Sequence, residues 1–155
     1  MTEAQGTLTL ETTKGKVEIK LRPDLAPKHV ERIKQLASEG FYDGIAFHRV
    51  IDGFMAQTGD PTGTGTGKSK LPNIPAEFSK EKFSRGTVGM ARGPDENSAN
   101  SQFFICFAPA RYLEEQYTVW GEVVSGMEFI DKIKRGEPPS NPDKIIKLRV
   151  AGDES

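Results

Sequence analysis

The sequence predicts a mainly β fold, a closed eight-stranded antiparallel β-barrel capped by two α-helices. Three observations lead there. Eight short runs carry strand-like patterns, turn residues punctuate them, and only two stretches carry helical spacing. Eight is also the strand number at which a small sheet can close with its interior filled by side chains. A β-sandwich is the main alternative.

Each element has its own signal. Leu8 and Leu10 alternate with threonines, TTKGK turns the chain, and Val17, Ile19 and Leu21 alternate with charged residues. Residues 7–21 thus read as a β-hairpin. PKHVERIKQLASEG follows as the first helix, with Pro27 at a first helical position, Val30, Ile33 and Ala37 on one face, and Gly40 as the stop. FHRVIDGFMAQTGD reads as two strands joined at Asp52-Gly53. Along the first of them Phe47, Arg49 and Ile51 should point one way and His48 and Val50 the other. Met55 and Gln57 share a face of the second. Whether Arg49 joins them depends on turn register. GTVGMAR, SQFFICFA, YTVWGEVV and KIIKLRVAG each read as a strand, with Gln102 and Phe104 on one face. In SGMEFIDKIKRGE, Ser125 and Glu128 are spaced as a capping box, and Met127, Ile130 and Ile133 share a helical face.

The chain has 155 residues, the size of one domain with a real core, here expected to span 1–155 with its centre at about 7–150. Lys plus Arg number 21 and Asp plus Glu 22, for a net charge of −1. That balance supplies no field for gathering nucleic acid or anionic membrane. No stretch approaches the roughly 20 apolar residues of a membrane span. The opening MTEAQGTLTL has neither a basic start nor an apolar run, and the one cysteine, Cys106, has no internal partner. A cytoplasmic location is expected. The two histidines, His29 and His48, lack ligand spacing to each other or to Cys106, so no metal is expected.

The stretch GDPTGTGTGKSK invites a phosphate-loop reading and fails it. The pattern G-x-x-x-x-G-K-[ST] needs glycine where Thr62 stands, and KSKLPNIPAEF follows instead of a helix. A third glycine for G-x-G-x-x-G is replaced by Lys68. A flexible surface loop is the plain reading.

Three segments concentrate side chains suited to a site: FHRVIDGFMAQ, MARGPDENSANSQFF and FAPARYLEEQYTVW. One arginine and two glutamines among Phe, Tyr, Met and Leu groups suit a neutral peptide better than a charged metabolite. Each has a plainer role as well. Arg49 can be an ion-pair partner on the surface, Phe54, Met55 and Phe104 core residues, the glutamines backbone partners, and His48 a structural histidine. Hydrolysis is poorly supported, since Cys106 lies in an apolar run and there is no G-x-S-x-G elbow.

FHRVIDGFMAQTGD, the glycine loop and NSQFFICFA closely resemble the cyclophilin family of peptidyl-prolyl cis–trans isomerases, in its short bacterial cytosolic form, from about Thr7 to Val150. The resemblance implies an eight-stranded barrel with two helices and cofactor-independent rotation about X-Pro bonds in support of protein folding. Arg49 matches the catalytic arginine. Phe54, Met55, Gln102, Phe104 and Leu113 match the proline pocket, Gln57 a group holding the substrate backbone, and His48 its neighbour. Ala91 and Arg92 match a stretch that binds peptide through its own backbone, and the glycine loop borders the groove. Implied partners are proline-containing peptides and unfolded or flexible chains, with no nucleic acid or membrane, and a monomer is expected. Two positions depart from the family's pattern. Tyr112 stands where many members have tryptophan, so weak binding of cyclosporin-type cyclic peptides is expected. Tyr117 stands at a place often held by histidine. A proline-peptide binding module with little turnover and a Cys106 hydrolase are the competing readings.

Overall fold

A computed structural model describes residues 6–151. Eight strands form one antiparallel sheet: β1 (Thr7–Thr12), β2 (Gly15–Leu21), β3 (Arg49–Ile51), β4 (Met55–Thr58), β5 (Thr87–Met90), β6 (Phe103–Cys106), β7 (Val119–Ser125) and β8 (Ile145–Val150). Their order across the sheet is β3-β4-β6-β5-β7-β2-β1-β8. Irregularities at Glu11/Thr12, Glu18/Ile19 and Val88/Gly89 interrupt the register. Such bulges strengthen the local twist and help curl a sheet.

The expected closure is not met by a continuous ladder. The terminal strands β3 and β8 do not pair with each other, so the sheet is a curled, open one. Isolated bridges span the gap instead, Ala46 with Lys144 and Val50 with Gly136. At the second bridge each N–H donates to the other's carbonyl at 2.8 Å. This bridge has a consequence for the site, because it carries the next residue, Glu137, to the side of Arg49.

Helix α1 (Pro27–Ser38) buries His29, Val30, Ile33, Leu36 and Ala37, and Pro27 begins it as expected. No side chain of its own caps it. The Glu77 carboxylate does so from a distance, accepting from the N–H groups of Lys28 and His29 and contacting His29 Nδ1 at 2.6 Å. A negative group there satisfies orphan donors and complements the helix dipole. Helix α2 is one turn, Met127–Ile130, and the expected capping box does not form: Gly126 holds the cap position with no side-chain bond. Ile130 and Ile133 are nevertheless buried.

Alternation assigns the two faces of the sheet. Val50, Ala56, Val88, Phe103 and Ile105 point into the main core, packed with Leu8, Leu10, Ile19 and Trp120. Met55, Phe104, Cys106 and Val119 point outward into a second cluster with Phe83, Ala110 and Leu113. β5 and β6 are therefore buried on both faces. Phe47 corrects the expected alternation. It belongs to the main core with Val50, because the strand begins only at Arg49 and the chain before it is irregular.

Candidate functional site

The second cluster is the floor of a hollow of about 460 Å³ on the outer face of β3, β4, β6 and β5. Strand register puts its polar groups in line. Arg49 lies opposite Gln57, Gln57 opposite Phe104, and Ile51 opposite Met55. The open question of register is thus answered in favour of Arg49 sharing the face of Met55 and Gln57. The loop between β3 and β4 has three residues, Asp52, Gly53 and Phe54, and it lifts Phe54 to the rim.

Buried apolar groups make the floor, with Met55, Phe104 and Leu113 each under 8% exposed. Phe104 stacks on Phe83 with centroids 5.9 Å apart. That stack lies against Gly89, where a β-carbon would stand 2.7 Å from Phe104 Cζ. Leu113 ends a single 3₁₀ turn, Arg111–Leu113, which the sequence reading did not identify. The same turn presents Tyr112 at 69% exposure, tilted against Phe54 at 5.6 Å.

Arg49 stands at the polar side of this hollow. Its Nη1 donates to Gln57 Oε1 at 3.2 Å and its Nε to Glu137 Oε1 at 2.9 Å. Nη2 has no partner among the described residues. The ion pair with Glu137 does not withdraw Arg49 from the hollow, which it still lines. Gln57 Nε2 donates in turn to Gln102 Oε1 at 2.9 Å, and Gln102 Nε2 to the carbonyls of Gly65 and Gly67.

The opposite wall carries Tyr117, one of the two departures noted in the sequence, beneath Arg92. The Arg92 guanidinium lies over the Tyr117 ring at 4.5 Å and donates to the carbonyls of Gly93 and Gln116. Tyr117 in turn meets Phe104 edge-on at 6.0 Å. Arg92 is thus fixed by its side chain and not only placed by its backbone. The Ala91 N–H is committed to the Gln102 carbonyl at 2.9 Å.

Ten of the twelve residues singled out in the sequence line this hollow: Arg49, Phe54, Met55, Gln57 and Phe104 from one side, Ala91, Arg92, Tyr112, Leu113 and Tyr117 from the other. Gln102 lines an adjoining hollow of about 310 Å³, bordered by Gly65, Gly67 and Lys68. His48 reaches neither. It is buried behind the glycine loop, near Gly65, and burial lowers its pKa below the usual imidazole value.

Three contributors were not found in the sequence. Gln116 lines the hollow, Glu137 pairs with Arg49, and Asp60 organises the glycine loop. The Asp60 carboxylate, 1% exposed, accepts from the N–H groups of Thr62, Thr64, Gly65 and Gly67 and from the Thr62 hydroxyl. Burial alone would raise its pKa, but these bonds hold it at about 2. Only Asp60, placed just before the loop as an Asx-turn former, carried any sequence signal.

Cys106 is fully buried and burial pushes its thiol up to about 12. No nucleophile is available there. No set of three or more His, Cys, Asp or Glu side chains able to hold a metal occurs among the described residues, and no helix among them is long and apolar enough to cross a membrane.

Comparison with known proteins agrees with this architecture. The family model described as cyclophilin type peptidyl-prolyl cis-trans isomerase/CLD matches residues 7–150. A probable peptidyl-prolyl cis-trans isomerase of Brucella suis is 54% identical, covering 97% of this chain and 85% of its own. A peptidyl-prolyl cis-trans isomerase of Helicobacter pylori is 40% identical over 83% of this chain and 80% of its own. Among solved structures, a cyclophilin from Hirschia baltica superposes with TM-score 0.90 at 29% identity, covering 98% of this chain and 76% of that one. A cyclophilin type peptidyl-prolyl cis-trans isomerase of Cryptosporidium parvum, determined in the presence of the dipeptide Ala-Pro, gives 0.86 at 27% identity, covering 93% and 98%.

Proposed function

The chain belongs to the cyclophilin family of peptidyl-prolyl cis–trans isomerases, and from that premise we propose that Arg49 carries its turnover. Isomerisation of X-Pro bonds is the activity of the chain. The finer reading concerns how it is done and on what.

An X-Pro bond resists rotation by about 18–20 kcal/mol, because the nitrogen shares its lone pair with the carbonyl. Twisting toward 90° ends that sharing and leaves the nitrogen able to accept a hydrogen bond. A guanidinium aimed at that nitrogen binds the twisted state better than either planar isomer. Arg49 supplies the donor, and the floor of Met55, Phe104 and Leu113 takes the proline ring. Apolar walls exclude water and strengthen the bond. An acceleration of about 10⁵ requires about 7 kcal/mol of such differential binding. No proton leaves the substrate and no covalent intermediate forms.

The observation that carries this reading is the placement of Arg49. It borders an apolar hollow, tethered at Nε and Nη1, with Nη2 unengaged among the described residues. The Ala-Pro dipeptide used with the Cryptosporidium relative supports proline-containing substrates. The natural substrates are X-Pro bonds in unfolded or flexible chains, so the protein assists folding, as a monomer in the cytoplasm. The lone buried thiol of Cys106 suits that reducing compartment.

A protease-coupled assay on a short X-Pro peptide tests the arginine. Arg49→Ala should lose about 10²-fold or more in kcat/KM while still binding the peptide. Equal rates in the two proteins would reduce the site to a proline-binding surface.

A further inference from the structure

Resting on the isomerase reading, we infer that Asp60 is a positioning residue for Arg49, acting through the glycine loop and two glutamines. The path is continuous. Asp60 gathers the N–H groups of Thr62, Thr64, Gly65 and Gly67, which turns the carbonyls of Gly65 and Gly67 toward Gln102. Both carbonyls only accept, so the end of Gln102 facing them must be its amino group. Its oxygen then faces Gln57, at 2.9 Å, and Gln57 must answer with its amino group. That turn leaves Gln57 Oε1 toward Arg49, whose Nη1 donates to it at 3.2 Å.

Each amide has two orientations, and only one of them presents an acceptor to a guanidinium. With either glutamine reversed, an amino group would face the donors of Arg49 or of its neighbour. The loop therefore selects the orientation, and Asp60 holds the loop. The carboxylate is suited to this, being buried and acceptor-only. Asparagine is not. Its oxygen can replace Oδ1 toward Thr62 or Oδ2 toward Thr64, Gly65 and Gly67, and its amino group opposes the remaining donors. Gly67 is part of the same device, since a β-carbon there would overlap Asp60 Oδ1.

The test is a double-mutant cycle of Asp60→Asn and Gln102→Ala, read by kcat, KM and side-chain NMR. Asp60→Asn should lower kcat by about 10- to 100-fold with KM nearly unchanged, because the apolar floor is untouched. Adding it to Gln102→Ala should cost little more, since both interrupt one path. The Arg49 Nε–H and Gln57 amide signals should move in Asp60→Asn while methyl signals of Val88 and Ile105 stay in place. Gly67→Ala, which displaces the carboxylate without removing it, should reproduce the kcat loss if Asp60→Asn does not fold. Multiplicative losses in the cycle, or a folded Asp60→Asn protein with native kcat and unmoved Arg49 signals, would overturn the inference. Wild-type protein inactive on X-Pro peptides would instead sink the isomerase reading, and the NMR signals would still report whether Asp60 orients Arg49.

Discussion

Gly89→Ala is a small change with a twofold expected effect. The new β-carbon would stand 2.7 Å from Phe104 Cζ and 2.8 Å from Phe83 Cε2. Neither ring can yield toward the core without cost, since Phe83 is 1% and Phe104 4% exposed and the two are stacked. Overpacking of this kind costs about 1–3 kcal/mol. For a chain of this length about 2 kcal/mol lowers the melting temperature by about 4–8 °C. The direction of escape matters as much as the cost. Phe104 borders the hollow on its other side, so relief pushes the ring into the hollow, where we propose that the proline ring sits. Urea denaturation should show the loss of stability, and the peptide assay a raised KM with kcat less affected. A stability change within about 0.5 kcal/mol together with native KM would refute the claim that this stack is both core and pocket floor.

Other consequences can be checked directly. Native protein should resist alkylation at Cys106 and keep full activity under thiol reagents, because the thiol is fully buried and titrates near 12; modification with loss of activity would revive the hydrolase reading. Tyr112→Trp should tighten binding of a cyclosporin-type cyclic peptide, measured by calorimetry, with kcat/KM on short peptides little changed, since residue 112 is a 69% exposed rim group. Burial lowers the folded pKa of His29 and His48 below the ordinary value near 6.5. The unfolded chain therefore binds protons first as pH falls through about 6.5, and stability should drop from there until the folded values are reached. Urea midpoints that do not move between pH 7.5 and 5.5 would contradict this.

The fold was legible where a strand's own pattern decides its faces. Val17, Ile19 and Leu21 alternate in the sequence and are buried in the structure. What a pattern of period two cannot supply is register. Arg49 faces Gln57 because the turn holds three residues, and nothing in Asp52-Gly53 alone distinguishes three from two. Closure was illegible for a related reason. The gap between β3 and β8 is crossed by irregular segments around Ala46 and Gly136, whose meeting is tertiary. The same meeting brings Glu137 to Arg49 across 88 positions of sequence. Ser125 and Glu128 had capping spacing, yet β7 runs through Ser125 and leaves the cap to Gly126. Most of the hollow was legible through the family resemblance, which spans separated motifs. Asp60 escaped, save for its Asx-turn signal, because its partners apart from the Thr62 hydroxyl are backbone N–H groups, which every residue but proline possesses.

That escape also explains why the glycine loop resembles a phosphate site without being one. A phosphate loop works by converging backbone N–H groups on an anion. In GDPTGTGTGKSK the N–H groups do converge, and the anion is already there. Asp60 takes donors from Thr62, Thr64, Gly65 and Gly67, so a phosphate could enter only by expelling a carboxylate that these bonds hold ionised down to about pH 2. With these N–H groups turned inward, the carbonyls of Gly65 and Gly67 meet Gln102. One glycine-rich sequence can thus serve opposite ends according to what fills its centre. An external anion makes it a binding site, and an internal one makes it a fixed wall with acceptors on its outer side. The acid at the head of this loop thus adds to the two differences already legible in the sequence, Thr62 where a phosphate loop needs glycine and the lack of a helix after Lys68.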